Sequence, residues 1–469
     1  MQLRRSRHNL VRGRRRRIGI RIFESTYSPA ASTPTRILAI KIMSEIIDLL
    51  KQLRSGEMRI ADYLDQLEAR FVEMEPVIFS FVPEPRRWER VHAQAAELEV
   101  KWPDPANRPP LFGLPVGVKD IFRVDGLPTR AGSQLPADVL YAPESVAVTQ
   151  LREAGALILG KTITTEFAYF GPGPTRNPNN PFHTPGGSSS GSAASVAAKL
   201  VPLALGTQTI GSVNRPAAFC GIVGFKPTYN RISKENVIEN STSHDHVGTF
   251  TRDVASSELI ASVLCKDFAQ RESVEAKDVT FGVPNGQYLH AAEPEVLAHF
   301  YKTVEKLEAA GYTVKRLEAM PDFDEVRKQH MVVNERDAAD YHAQFSDYFN
   351  LYEAKTLKLV HDGQKHSDEA LAKGRQAKIE LRNHLTGLMD EHGLDGWIMP
   401  GAPTTAPLGY ASTGNPIMQL PWTNSGLPTL NMKSGVAENG LPLSLQMAAR
   451  WNEDEVLFAI GKGLEKVLK

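Results

Sequence analysis

From Met43 onward the apolar positions recur at helical spacing. Ile46, Ile47, Leu49, Leu50 and Leu53 form one stripe, and after Ser55-Gly56 a second runs through Ile60, Leu64, Leu67 and Phe71. Both match a helix with one buried face. The proline-rich stretch from Pro103 to Pro110 predicts a loop, and Leu114 to Lys119 a short buried strand. A helix from Glu144 to Glu153 leads through Gly155 into the strand Leu157-Ile158-Leu159. Helix and strand alternating in this way argue for an α/β fold with a largely parallel sheet. Leu203 to Gly206, Trp397 to Pro400, Thr429 to Met432 and Leu443 to Met447 read as further strands. Helices are expected over about 293–311 and, as a polar and peripheral group, over about 322–390, with a last one from Asp454. No repeat of 20–50 residues recurs, which excludes solenoids.

Composition narrows the class. In 469 residues, 42% hydrophobic, there is enough apolar side chain to exclude disorder as the main state. No run of about 18 apolar residues occurs, so no membrane span is expected. Cys220 and Cys265 are the two cysteines; they make neither a disulfide framework nor a metal cluster. A cytoplasmic location fits best.

The 54 basic and 54 acidic groups balance, yet their distribution is uneven. Eleven of the basic groups and only Glu24 among the acids lie in residues 1–42, leaving 43 basic and 53 acidic groups for the rest. This mildly acidic body gives no reason to expect nucleic acid as its partner. The basic leader admits several readings: a nucleic-acid arm, a transit segment, a disordered tail, or sequence upstream of a start at Met43. The division expected is a leader, 1–42, and one domain, 43–469.

Residues 171–192 depart from the average. Pro172, Pro174, Pro178, Pro181 and Pro185 lead into Gly186-Gly187-Ser188-Ser189-Ser190-Gly191-Ser192, followed by an Ala/Val-rich buried helix. Neither a Walker phosphate loop nor a dinucleotide fingerprint fits the spacing. A flexible linker fits poorly too, because a tightly packed small-residue helix follows. Nucleophilic catalysis remains, and a serine hydroxyl then needs a base. His183 and His246 show no triad spacing, and no Gly-x-Ser-x-Gly elbow exists. Lys119 closes an apolar strand, where burial would lower its pKa and let it act as a neutral base.

Taken together, several segments resemble the amidase signature family. They are Gly113 to Asp120 (GLPVGVKD), Pro185 to Ala194 (PGGSSSGSAA), Gly206 to Ser212 (GTQTIGS), Pro216 to Gly221, Gly224 to Thr228, His246-Val247-Gly248, and Gly440-Leu441-Pro442 with Gln446. The resemblance runs from about Met43 to the end of the chain. It implies a single α/β domain with a mixed central β-sheet flanked by helices, and a Ser–cis-Ser–Lys triad. By motif, Ser212 is then the nucleophile, Ser188 the bridging serine in a cis peptide, and Lys119 the base. The backbone N–H groups of Thr209, Ile210, Gly211 and Ser212 are the implied oxyanion hole. Ser189, Ser190 and Ser192 are read as loop and cap residues, and Lys161 and Lys226 as structural or surface groups.

The implied activity is hydrolysis of a C–N amide bond through an acyl-enzyme on Ser212, without metal or cofactor. Carbamate (urethane), ester or urea-derived amide hydrolysis is the alternative within the family, with transamidation a further relative. A catalytically inactive binding protein is the alternative of another class. The partner expected is a small amide or carbamate substrate, with no membrane; a homodimer is left open. Many relatives carry Asp, Gly and Arg where this chain has Gln208, Ile210 and Asn214. Arg215 stands one place on and could supply the missing charge. Ile210 means either that the turn never needed glycine's freedom or that the acyl pocket is narrowed. Tyr169-Phe170 and Met418 to Trp422 are candidate pocket walls.

Overall fold

The computed structural model describes residues 46–469; the expectation for the leader, 1–42, lies outside them. The first helix, Ile46–Ser55, buries Ile46, Leu49, Leu50 and Leu53, the stripe expected of it. The second, Ile60–Ile78, buries Ile60, Leu64 and Leu67, while Phe71 packs its ring against Phe81 and Trp88.

Ten strands occur among the described residues: β1 Pro115–Lys119, β2 Leu157–Thr162, β3 Leu203–Gln208, β4 Val223–Lys226, β5 His246–Thr251, β6 Thr280–Asn285, β7 Thr313–Glu318, β8 Gly396–Pro400, β9 Thr429–Val436 and β10 Pro442–Ala448. They join in one sheet of order β2-β1-β3-β5-β4-β9-β10-β8-β6-β7. Helices flank it, and the described residues form a single domain. The sheet is mixed, which corrects the largely parallel reading of the hydropathy pattern. β1 runs parallel to β2 and β3, and β6 to β7 and β8. Every pairing between β3 and β8 is antiparallel. The cause is connectivity: β9 and β10 are joined by a short turn, and only antiparallel neighbours can be joined that way.

A second correction concerns 322–390. Its first helix, Phe323–His342, buries His330, Val333, Asn334 and Asp337 and is not peripheral. Asp337 finds its partners inside: Ser241 Oγ and the Ser243 N–H donate to it at 2.7 and 2.8 Å. The His330 ring stacks on His244 at 4.1 Å. Hydropathy reads such residues as solvated, although a buried polar group with partners is tolerated.

Candidate active site

β1 and β3 lie side by side and parallel, with Val118 opposite Leu205. Lys119, the last residue of β1, therefore lies towards the carboxyl end of β3. All five residues of β1 are buried, and Lys119 is fully enclosed. Its Nζ donates to Ser188 Oγ and to Thr207 Oγ1, both at 2.8 Å. Burial pushes its pKa well below the ordinary lysine value; the charge of Asp245 opposes that shift only in part.

Ser188 follows a cis peptide bond from Gly187 and precedes the helix Ser190–Ala197. The Gly187 carbonyl accepts from Arg215 Nη2 at 2.6 Å, and Arg215 also donates to Thr413 Oγ1 and the Gly414 carbonyl. Arg215 is thus buried and held by neutral acceptors, and burial lowers its pKa to about 9.

Between β3 and the helix Asn214–Cys220 the chain turns through residues 209–213. Gln208 shapes that turn: its Oε1 accepts from the backbone N–H of Val213 and of Asn214, both at 2.9 Å. Its Nε2 donates to Thr423 Oγ1 at 2.9 Å. The preceding N–H groups, of Thr209, Ile210, Gly211 and Ser212, donate to no other group among the described residues. Thr209 is tied by its hydroxyl to Asp245 Oδ1 at 2.5 Å. A Cβ on Gly211 would sit 2.8 Å from Pro416 Cβ and 2.9 Å from Gln419 Oε1, so this turn packs against residues 416–419 by contact with bare backbone. Ile210 has no left-handed φ; the turn does not need glycine there.

Ser212, 7% exposed, lines a slot together with Ala168, Tyr169, Phe170, Thr209, Ile210, Gly211, Arg215, Asn240, Asn334 and Pro416. The slot is tight, with a cavity volume of about 20 Å³, room for about one water. Ile210, Phe170 and Pro416 also border a wider cavity of about 400 Å³, lined further by Asp324, Arg327, Lys328, Met331 and Leu420. Two roomier clefts, near 123–142 and 230–239, hold none of these groups.

The structure therefore brings Lys119 and Ser188 into hydrogen-bond contact and sets Ser212 in a slot beside the four free N–H groups. The Ser212 hydroxyl itself makes no hydrogen bond to Ser188 or Lys119 among the described residues. Tyr169 and Phe170 line the slot as expected. Met418 and Trp422 do not: both are fully buried and tied to Tyr288. Gln208 and Asn214 are enclosed scaffold residues, Asn214 donating to Thr429 Oγ1 and Gln446 Oε1. Neither borders the slot. Lys161 pairs with Asp120 at 2.8 Å, and Lys226 donates to two backbone carbonyls; both are buried, not surface, groups. Ser189 bonds the β3 backbone and Ser192 accompanies it.

Sequence reasoning misses Thr207, Asp245, Asn240 and Asn334. Thr207 and Asp245 sit in or beside the quoted segments; Asn334 carries no such signal. Among the described residues, Asp65, Glu68 and His92 are the one trio with metal-ligand spacing. It is a surface group on other helices, without bearing on the slot.

The fold and this constellation define a class, and comparison with known proteins places it. The Amidase family model matches residues 85–458, and the chain belongs to the amidase signature family, enzymes acting on carbon–nitrogen bonds. It is 28% identical to one of the subunits of glutamyl-tRNA(Gln) amidotransferase from Lysinibacillus sphaericus (strain C3-41), over 89% of this chain and 95% of that protein. A crystal structure of an amidase superposes with a TM-score of 0.82 at 29% identity, covering 91% of this chain and all of the other. The fold is shared with 6-aminohexanoate cyclic dimer hydrolase, TM-score 0.80 at 21% identity, over 92% of this chain and 98% of that one. No described helix is long and apolar enough to cross a membrane.

Proposed function

We propose that the chain hydrolyses a small amide through an acyl-enzyme on Ser212. The observation that carries this reading is the enclosed Lys119 amine, bonded to the Ser188 hydroxyl at 2.8 Å and to no carboxylate. Burial disfavours its charged form, so it can accept a proton. Lys119 takes the Ser188 proton as Ser188 takes that of Ser212, and Ser212 Oγ bonds to the carbonyl carbon. The free N–H groups of residues 209–212 receive the oxyanion. The C–N bond then breaks, the leaving nitrogen taking the proton back through Ser188. Water repeats the relay, releasing the acid and restoring Ser212. A fluorophosphonate probe tests the reading: the chain should be labelled and Ser212→Ala should not. An unlabelled native chain would favour the inactive binding protein instead.

A graded panel of aryl amides, aliphatic amides, carbamates and esters then separates amidase from urethanase. A second reading draws on the 28% identity to part of an amidotransferase: glutamine as ammonia donor. Ammonia release from free glutamine would support it.

A further inference from the structure

The slot at Ser212 has room for about one water, enough for a carbonyl oxygen and little else. A scissile carbonyl carbon carries two substituents, and space for one of them lies next door, in the cavity of about 400 Å³. Three residues border both spaces and so divide them: Phe170, Ile210 and Pro416.

Two of the three are fixed. The Ile210 carbonyl accepts from Thr423 Oγ1 at 2.7 Å. The Pro416 carbonyl accepts from the N–H groups of Gln419 and Leu420 at 3.0 and 3.1 Å, and its ring packs against the bare backbone of Gly211. Phe170 differs. The chain before it is pinned: the Phe167 ring meets those of His342 and Tyr352 at 4.7 and 5.0 Å, and the Tyr169 carbonyl accepts from Thr165 Oγ1 at 2.8 Å. The chain is pinned again at Thr175 and Arg176, which donate to the Phe79 and Ile78 carbonyls, both at 2.8 Å. In between, no N–H or C=O of Phe170-Gly171-Pro172-Gly173-Pro174 makes a hydrogen bond among the described residues. The Phe170 ring meets one other ring there, that of Tyr169 at 4.3 Å. A stretch without backbone hydrogen bonds moves at low cost, and its two glycines leave the backbone free to turn.

The backbone just before this stretch adds a second sign. Phe167 and Ala168 have φ of 47° and 62°, in the left-handed region that non-glycine residues seldom adopt. Strain of that kind collects at binding clefts and switch segments, where the surrounding structure holds it in place. Here it leads directly into Tyr169 and Phe170, two walls of the slot.

We propose that Phe170 is a gate between the slot and the cavity, displaced as substrate binds, and that the group admitted past it is bulky and apolar. This rests on the hydrolase reading above. The character of the group follows from the cavity: Ile210, Ile417 and Leu420 are buried on its wall. Its charged residues are exposed and already paired, Arg327 with Asp324 and Lys328 with Glu325.

The test is the rate at which ethyl and octyl fluorophosphonates label Ser212. The native chain should take both, the octyl probe more slowly because it has to displace the ring. Phe170→Ala removes the ring and should raise the octyl rate by about 10-fold or more, leaving the ethyl rate within a few-fold. Phe170→Trp should slow the octyl probe further and spare the ethyl one; should the alanine variant not fold, the tryptophan variant decides alone. A native chain labelled by the ethyl probe and not by the octyl one would make Phe170 a fixed wall and overturn the gate. An octyl-to-ethyl ratio unchanged in both variants overturns it too. A polyether probe of octyl length that labels as fast as the octyl one overturns the apolar assignment. A chain labelled by none of these probes loses the hydrolase reading itself, which keeps that failure apart from the failure of the gate.

Discussion

Lys119 and Ser188, 69 residues apart in sequence, meet through a 2.8 Å hydrogen bond inside the protein. The amine's other partner is the Thr207 hydroxyl, and both partners are neutral. Burying an ammonium among neutral groups is unfavourable, whereas a neutral amine fits there. The same burial that costs stability when the lysine is charged is what would make it a base in the proposed mechanism.

The first expectation concerns pH. On the proposed mechanism the neutral amine is the base, so kcat/KM should rise with pH through the lowered pKa of Lys119 and level off well below its ordinary ~10.4. Lys119→Ala should lose about 100- to 10,000-fold, the usual worth of a general base. Ser188→Ala should lose less. Steady-state kinetics across pH 5–10 checks both, and near-native rates in Lys119→Ala would remove it from the mechanism.

Asp245 offers a sharper probe. Its carboxylate accepts from Thr209 and from the N–H groups of Asn240 and Ser241, and its charge holds the Lys119 pKa up. Asp245→Asn removes that charge, so the acid limb of the pH–rate profile should move to lower pH. A limb that stays in place while the rate falls would mean that Asp245 serves only to hold Thr209.

How far the sequence speaks depends on the distance a signal must travel. The stripes of the first two helices are local, and their burial follows periodicity. β1, β2 and β3 are short apolar runs, legible for the same reason. β4 and β5 are not: a Val-Gly-Phe-Lys strand has too little pattern, and its place is set by pairing with β9 some 200 residues on. Lys119, Ser188 and Ser212 stand out because each sits in a dense motif. Asn334 does not, since a helix rich in Asp, Arg and His reads as solvated until the fold shows which face it buries.

Lys226 makes a prediction about stability. It is buried, donates to the Pro227 and Leu427 carbonyls, and burial lowers its pKa to about 7. Below about pH 7 folded and unfolded chains are both protonated at this site, and the cost of burying the charge is felt in full. Between about 7 and ~10.4 the unfolded chain holds a proton that the folded chain has shed, so the Lys226 contribution to stability rises with pH. Above ~10.4 both are neutral and the rise ends. Lys226→Met should therefore flatten the dependence of Tm on pH between 7 and 10. Parallel Tm curves for the two proteins would show that Lys226 stays charged when buried.

The last expectation is that Ile210 decides what fits. Its φ is ordinary, its carbonyl accepts from Thr423 Oγ1 at 2.7 Å, and its side chain borders both the slot at Ser212 and the wider cavity. Ile210→Gly keeps the backbone N–H and removes four carbons, opening the slot towards the cavity of about 400 Å³. It also frees a turn that must be held still, at a cost of up to ~1 kcal/mol. Small acyl groups gain no room and should lose activity through the looser turn. Bulky acyl groups lose one or two methylene clashes, worth ~1–3 kcal/mol. The ratio of kcat/KM for bulky over small acyl groups should therefore rise by about 10-fold or more. An equal loss across a graded acyl series would show that Ile210 shapes the turn and leaves the slot's selectivity to its other walls.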